Sequence, residues 1–388
     1  MARTKPSTRI GLLPDRVASP AGRLSFARLP GLLHKVASAT PQRCVAIRQR
    51  RRYPALPMAR RSIGIVYELL DAYPRRPDDP PDAHVEYEPE VTLLALEAAI
   101  ERLGHRAVRL GRPHDLLDAA AKRDVAIDAA LCIAEGFGTR NREAWAPVLL
   151  EMLGVPQLGS DALSLSLSLD KAWTRAVVAA AGVPVAPGVV VRSREEAERV
   201  APPGGFPCFV KPRWEGTAKG IERASRVASQ DALVAAVARV VSRYRQPALV
   251  EHFLEGAEYT VTVIGNDPPR ALPVLQRALE VESRIGLHAV ETRATSLPHV
   301  VPGSLDAPLE AQLASLAIRA YQALECRDFA RADFKCDAAG APTFLEINPL
   351  PTFAPDGSFG ILAEVMNRTH EDLLAEVLAL GLRRLGLC

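Results

Sequence analysis

Arg331-Ala332-Asp333-Phe334-Lys335 and Glu346-Ile347-Asn348 alternate polar and apolar residues on either side of the turn-forming run Asp337-Ala338-Ala339-Gly340. In a strand, residues i and i+2 share a face. Arg331, Asp333 and Lys335 therefore point one way, and Glu346 and Asn348 do the same on the partner strand. The turn makes a hairpin whose two polar faces converge. Two carboxylates and an amide oxygen brought together suit Mg²⁺, a hard cation that takes oxygen ligands and shared phosphates. An arginine beside them suits a developing oxyanion or phosphoryl group. Ordinary cross-strand charge pairing on a solvated face accounts for the same residues equally well.

Around that hairpin stand 388 residues, enough for two or three domains at roughly 150 residues each. The apolar content of 48% is that of a globular protein. No apolar run approaches the ~20 residues that cross a bilayer, so a soluble, cytoplasmic protein without a membrane partner is expected. Cys44, Cys132, Cys208, Cys326, Cys336 and Cys388 are scattered, with no C-x-x-C pair. That spacing excludes a disulfide framework or zinc site and fits a reducing compartment.

The net charge of +3 conceals two unlike parts. Residues 1–61 carry 12 Arg and 2 Lys against Asp15 alone, whereas the remainder is acidic. This first segment has no helical or strand periodicity and no signal-peptide apolar core. It reads as a disordered tail, a targeting peptide, or translation from upstream of a true start at Met58. Phosphate neutralisation by such a tail is conceivable chemistry, but it has little aromatic content and no fold, and a nucleic-acid partner is not expected.

The body alternates strands and helices, the pattern of a parallel sheet covered on its faces. Ser62-Ile63-Gly64-Ile65-Val66-Tyr67 is a buried strand, followed by a proline-rich loop. Pro89 starts a helix with Val91, Leu94, Ala95, Ala98 and Leu103 on one face and Gly104 as its stop. A further helix is expected over 141–153. From Leu169 the style changes to mixed lobes. A helix runs to Ala181, Ser193 and Glu196 form a capping box, and Phe209-Val210-Lys211 is a strand. Strands at 249–251, 259–264 and 271–275 and a helix over 309–324 precede the hairpin. A last helix spans 362–385. The expected segments are a tail (1–61), an N-terminal α/β domain (62–166), a central lobe (167–255) and a C-terminal lobe with the hairpin (256–388).

Lys211-Pro212 leads into Arg213-Trp214-Glu215-Gly216-Thr217-Ala218-Lys219-Gly220. Two glycines among small residues let backbone N–H groups wrap a phosphate beside a lysine, although a plain β-turn uses the same residues. It is not a Walker loop, since no G-x-x-x-x-G-K-[ST] is present. Asp170-Lys171 opens a helix. Glu251-His252-Phe253-Leu254-Glu255-Gly256-Ala257-Glu258 ends one strand and begins another, offering backbone groups for a base edge and acids for ribose hydroxyls.

In this order, the helix lysine, strand lysine with glycine loop, acidic hinge and paired R-x-D and E-x-N strands resemble the ATP-grasp superfamily. Within it, the chain resembles the D-alanine–D-alanine ligase family over residues 62–388. Leu158-Gly159-Ser160-Asp161-Ala162, Ala180-Ala181-Gly182-Val183-Pro184 and Phe206-Pro207-Cys208-Phe209-Val210-Lys211-Pro212 add to the match. The resemblance implies an ATP-grasp fold with an N-terminal Rossmann-like parallel sheet. It implies ATP contacts at Lys171, Lys211, Glu251, His252, Leu254 and Glu258, and metal ligands Asp333, Glu346 and Asn348. Arg331, with Lys211 and Thr217, would support the transferred phosphoryl group. ATP and Mg²⁺ are implied, with two ions and Mn²⁺ as a substitute, and so is a homodimer. In such enzymes a carboxylate attacks the γ-phosphate to give an acyl phosphate, and an amine then displaces phosphate. Amino-acid-like small molecules are the implied substrates.

The substrate half departs from the family pattern. Glu86, Glu88 or Glu90 would replace the acid that holds the first substrate's ammonium. Thr217-Ala218 keeps one hydroxyl where the family has two, and the mobile loop 279–284 has no tyrosine. Arg284 or Arg293 would cover the phosphate instead. Pro349-Leu350-Pro351-Thr352-Phe353 lacks the glycine of the oxyanion turn, and Ser358 is the candidate for the second substrate's carboxylate. The implied activity is an ATP-dependent carboxylate–amine ligase with an altered pocket. A D-alanine–D-alanine ligase of cell-wall synthesis is the alternative, and a silent ATP-binding sensor or partner-binding protein the second. No biotin-acceptor motif supports carboxylation.

Overall fold

The computed structural model describes residues 59–279, 283–286, 300–301 and 305–388, all within the compact unit Leu56–Cys388. The basic segment up to Met58, the loop residues Glu280, Val281 and Glu282, and Arg293 lie outside the described residues.

Four parallel strands make the first sheet: β1 (Ser62–Val66), β2 (Arg106–Gly111), β3 (Ala129–Cys132) and β4 (Gln157–Leu158), in the order β2-β1-β3-β4. Parallel neighbours need crossovers, and α1 (Glu90–Arg102), α2 (Pro113–Ala121) and α3 (Trp145–Met152) provide them. The strand order reverses between β1 and β3, where open parallel sheets leave a crevice at their carboxyl ends. Glu68 and Glu135 sit just past those two strands, and the Gly136 N–H donates to Glu68 Oε2 at 2.7 Å.

Helix α1 begins at Pro89 as its residues dictate, but the buried face is not the expected one. Leu93, Leu96, Ala99 and Ile100 are buried, whereas Val91 and Leu94 are about half exposed. The sequence is apolar enough to offer two stripes, and packing on the C-terminal helix selects one. The helix expected over 141–153 starts as a 3-10 turn, Arg142–Ala144, before α3. Ala162–Leu169 is a helix, α4, that the alternating Leu-Ser pattern does not announce. Asp161 caps it by accepting from the Ser164 N–H at 3.0 Å. Asp170 then caps α5 (Lys171–Ala180).

The second sheet is antiparallel, β5-β8-β6-β7, from β5 (Gly188–Val191), β6 (Cys208–Pro212), β7 (Arg226–Val227) and β8 (Ala248–His252). Helices α6 (Arg194–Arg199) and α7 (Gln230–Tyr244) cover it. Ser193 caps α6 as expected, but the Glu196 carboxylate closes on the Arg192 N–H rather than on its own cap residue.

The third sheet follows the order β12-β11-β9-β13-β14, with β10 beside β9. Its members are β9 (Glu258–Ile264), β10 (Arg270–Ala271), β11 (Leu275–Arg277), β12 (Val300–Val301), β13 (Phe329–Cys336) and β14 (Pro342–Asn348). The strand expected over 271–275 is thus two short pieces, broken at Pro273. Helix α8 (Ala307–Ala323) packs behind this sheet. The single last helix expected is two, α9 (Ser358–Val365) and α10 (His370–Arg384). Asn367 at φ 52° ends the first, and Thr369 caps the second. One core joins β1, β3 and α1 to α9 and α10 through Leu96, Phe353, Phe359 and Leu374. Among the described residues no helix is long and apolar enough to cross a membrane, and the five cysteines are free thiols.

Candidate active site

The hairpin forms in the register its alternation dictates. Arg331 pairs with Asn348 and Asp333 with Glu346 across β13 and β14, while β9 lies on the other side with Thr260 opposite Asp333. A bulge after Asp333 shifts Lys335 to pair with Thr343. The Arg331 guanidinium grips Asp333 with both arms, Nε to Oδ1 at 3.2 Å and Nη2 to Oδ2 at 3.0 Å. Thr260 Oγ1 donates to Asp333 at 2.8 Å. Glu346 Oε2 lies 3.1 Å from Lys171 Nζ. Burial alone would raise the Glu346 carboxyl, but Lys171, Lys211 and Arg331 outweigh it and hold the group at about 2. Asn348 Oδ1 accepts from the Leu350 N–H at 2.8 Å, which fixes its amide.

Lys171 opens α5, and its ammonium also donates to the Glu215 carbonyl beside the glycine loop. Lys211, near the end of β6, pairs with Glu251 on β8 at 2.6 Å. Arg175 holds the same carboxylate. The acidic hinge residue, which also lines the cavity, is therefore engaged by two cations. The His252 N–H donates to the Pro187 carbonyl at 2.9 Å, so that donor is not available to a base. Leu254, buried two residues further on, lines the cavity. Phe209, Ile221, Phe253 and Ile285 make an apolar slot beside it. Glu258 sits between Arg277 at 3.4 Å and Lys335 at 3.6 Å.

One cavity of about 480 Å³ joins these groups, lined by Lys211, Thr217, Glu258, Arg331, Asp333 and Glu346, among others. Glu88, Glu135 and Ser358 line the same cavity. The three candidate substrate acids separate here. Glu90 lies at the surface, paired with Arg109 at 2.8 Å, because Pro89 starts the helix and turns it outward. Glu86 is locked to Arg142 at 3.0 Å and Lys219 at 2.7 Å. Glu88 alone faces the cavity without a cation among its contacts. It accepts from Thr92 at 2.8 Å and Thr352 at 3.0 Å, and burial followed by the nearby Asp356 raises its carboxyl. Burial also raises Glu135 well above the usual range, with Glu143 and Glu86 adding to it. The Arg284 guanidinium donates one hydrogen bond to the Glu255 carbonyl, at 3.2 Å.

Arg277 was not anticipated. It ends β11 opposite Glu258, lines the cavity and reaches Asp333 at 3.6 Å. Its only sequence signal is a charged residue following an apolar strand. The oxygen donors fit Mg²⁺. Among the described residues no three or more His, Cys, Asp or Glu form a closed cage, whereas Mg²⁺ takes one or two carboxylates and fills its shell with water and phosphate.

An N-terminal parallel sheet followed by two antiparallel lobes, with lysines of one facing carboxylates of the other, defines an ATP-grasp ligase fold. The profile of the D-ala D-ala ligase C-terminus family matches residues 177–379. The D-alanine–D-alanine ligase of Desulforudis audaxviator is 30% identical over 75% of this chain and 92% of its own. The uncharacterized protein y4sG of Sinorhizobium fredii is 30% identical over 65% of this chain and 74% of its own. The solved Bacillus anthracis D-alanine–D-alanine ligase complexed with ATP superposes with a TM-score of 0.59 at 19% identity, covering 83% of this chain and 97% of that one. The chain belongs to the D-alanine–D-alanine ligase family.

Proposed function

We propose that this ligase uses Mg²⁺ and ATP to join a carboxylate to an amine on amino-acid-like substrates. The observation that carries the reading is the cavity itself. Arg331, Asp333, Glu346 and Lys211 line it together with Glu88, whose hydrogen-bond partners are Thr92 and Thr352 and no cation. Lys171 and Lys211 would bind the phosphates, Glu258 the ribose and Leu254 the base. Asp333, Glu346 and Asn348 would hold the metal, which when bound offsets the repulsion between a carboxylate and a triphosphate. Two ions, Mn²⁺ as a substitute and a homodimer follow from the family pattern. Arg331 would stabilise charge on the transferred phosphoryl group. Glu88 would hold the ammonium of the first substrate, oriented by Thr92 and Thr352, and Ser358 the carboxylate of the second. No protein nucleophile is needed, since positioning and electrostatics supply most of the acceleration in phosphoryl transfer.

Incubation with ATP, Mg²⁺ and a panel of D- and L-amino acids, with ADP and phosphate as the readout, tests the reading. Amino-acid-stimulated release together with an amide product supports it, and no stimulation by any pair overturns it. The names of the curated relatives favour D-alanine as both substrates. The turn at 349–353 favours another second substrate, because it has prolines where the family has a glycine. Product analysis with D-alanine alone separates the two.

A further inference from the structure

After β1 the chain leaves the first sheet and crosses to the glycine loop of the second, where two buried carboxylates take hold of it. Asp82 Oδ2 accepts from the Gly220 N–H at 2.8 Å and from the Tyr244 hydroxyl at 2.9 Å. Glu86 Oε1 accepts from the Gly216 N–H at 2.7 Å, and its Oε2 takes Lys219 Nζ at 2.7 Å. Arg142 donates to both oxygens of Glu86, at 3.0 and 3.1 Å, and to the Trp214 carbonyl at 2.9 Å. Glu215 completes the group, 2.6 Å from Lys219 and 3.2 Å from Arg142. Two cations thus face two carboxylates out of water. Asp82, Glu86 and Lys219 are 4%, 7% and 9% exposed, and Arg142 is 1% exposed.

Between the two seized N–H groups the backbone is bent hard. Thr217 at φ 46° and Ala218 at φ 55° are consecutive left-handed residues. L-residues disfavour that conformation, β-branched threonine most of all. Such strain persists where the surroundings over-determine it, and it gathers at functional sites. At Gly216 the approach is close instead: a Cβ there would lie 2.9 Å from Glu86 Oε1 and press on that carboxylate. The division of labour is clear. Gly216, Lys219 and Gly220 carry the contacts to Asp82 and Glu86, while Thr217 and Ala218 line the cavity. The segment that shapes the loop is also the one that presents Glu88, two residues beyond Glu86, to the same cavity.

We propose that Asp82 and Glu86 are positioning residues that hold the glycine loop, through the Gly220 and Gly216 N–H groups and Lys219, in the bent form that closes over the triphosphate. The inference rests on the reading of the cavity as a Mg²⁺–ATP site. It makes the segment that follows β1, not the lobe that carries the loop, the part that sets it. Lys219 acts at the hub, since it bridges Glu86 and Glu215 while its own loop turns above it.

Calorimetric binding of Mg²⁺–AMP-PNP and of adenosine to the full chain and to Lys219→Met, Lys219→Arg and Asp82→Asn tests it. The expected result is a tenfold or greater loss of AMP-PNP affinity in Lys219→Met and Asp82→Asn with adenosine affinity unchanged, and recovery of most of it in Lys219→Arg. A wild-type chain that binds no AMP-PNP overturns the reading of the cavity. Wild-type binding matched by both Lys219→Met and Asp82→Asn overturns the latch alone, and so does parallel loss of both ligands, the mark of a merely structural role. Should the variants not fold, amide exchange on the nucleotide-free wild type decides. Protection at Gly216 and Gly220 is expected, and exchange at the rate of an open loop overturns the proposal.

Discussion

Lys171 Nζ lies 3.1 Å from Glu346 Oε2, tying the first residue of α5 to the strand that carries the proposed metal ligands. Lys171 is buried and the Glu346 side chain is a quarter exposed, and the carboxyl is held at about 2. Because its folded value lies below the ordinary 4.5, the ionised group adds stability above pH 4.5 that is lost as pH falls toward 2. Glu346→Gln keeps the shape and removes the charge. Turnover should fall by roughly 100-fold or more, the size of one lost electrostatic contact at the reacting centre. Stability at pH 7 should fall as well, because Lys171 loses the carboxylate it is paired with. Retained full turnover would remove Glu346 from the metal site.

Glu88 has a raised carboxyl in a cavity wall, and only its ionised form attracts an ammonium. As pH falls through that raised value, KM for the amino substrate should climb while ATP binding stays level. Glu88→Gln should raise the same KM roughly 10- to 100-fold, the worth of a charged hydrogen bond of about 1.5–3 kcal/mol. Steady-state kinetics with saturating ATP measures it. An unchanged KM would assign the ammonium to Glu135 or to no acid.

The hairpin was legible because period-two alternation and a turn leave one register. Its meaning was not, since Arg331, Asp333 and Glu346 look the same on a solvated face until Lys171 and Lys211 arrive from other elements. The segment Glu86-Tyr87-Glu88-Pro89-Glu90 shows the limit best. Three glutamates at one spacing are indistinguishable along the chain. Partners far off in sequence, Arg142 and Lys219 for one, Thr352 for another and Arg109 for the third, give each a different fate. Helix α1 failed similarly, because Val91 and Leu94 form a plausible stripe that α10 does not cover. The break between α9 and α10 was written in the chain as Asn367 followed by Thr369, overridden by the apolar run around it.

Glu143 is buried beside Arg142, and its carboxyl is pushed up to about 7 by burial, which outweighs the attraction of Arg142. The folded state then holds a proton that the unfolded chain has released above 4.5. Stability should therefore fall as pH rises from about 4.5 to 7 and level off beyond, at up to about 1.4 kcal/mol per pH unit from this group. Glu143→Gln should flatten that slope and raise the melting temperature at pH 8. Thermal unfolding across pH 4.5–8 reads it, and an unaltered slope in the variant would exclude Glu143 as its source.

Asp328 is fully buried and accepts from four donors drawn from distant parts of the chain. Arg384 Nε and Nη2 reach it at 2.7 Å, the Gly159 N–H at 2.8 Å and Asn266 Nδ2 at 2.9 Å. It stands three residues before Arg331, so α10 fixes the start of the strand that carries the proposed catalytic arginine. Arg384→Met keeps the aliphatic stem and strips a buried carboxylate of its only cation among these partners. Removing one member of a buried pair costs about 3–5 kcal/mol. The two remaining donors soften the loss, so about 3 kcal/mol is expected. Asp328→Asn should cost less, since its amide still accepts from Gly159. Urea unfolding measures both, with the midpoint falling and the slope unchanged if the native state alone is affected. A loss below about 0.5 kcal/mol in Arg384→Met, the scatter of ordinary surface substitutions, would mean that the C-terminal helix does not brace the strand.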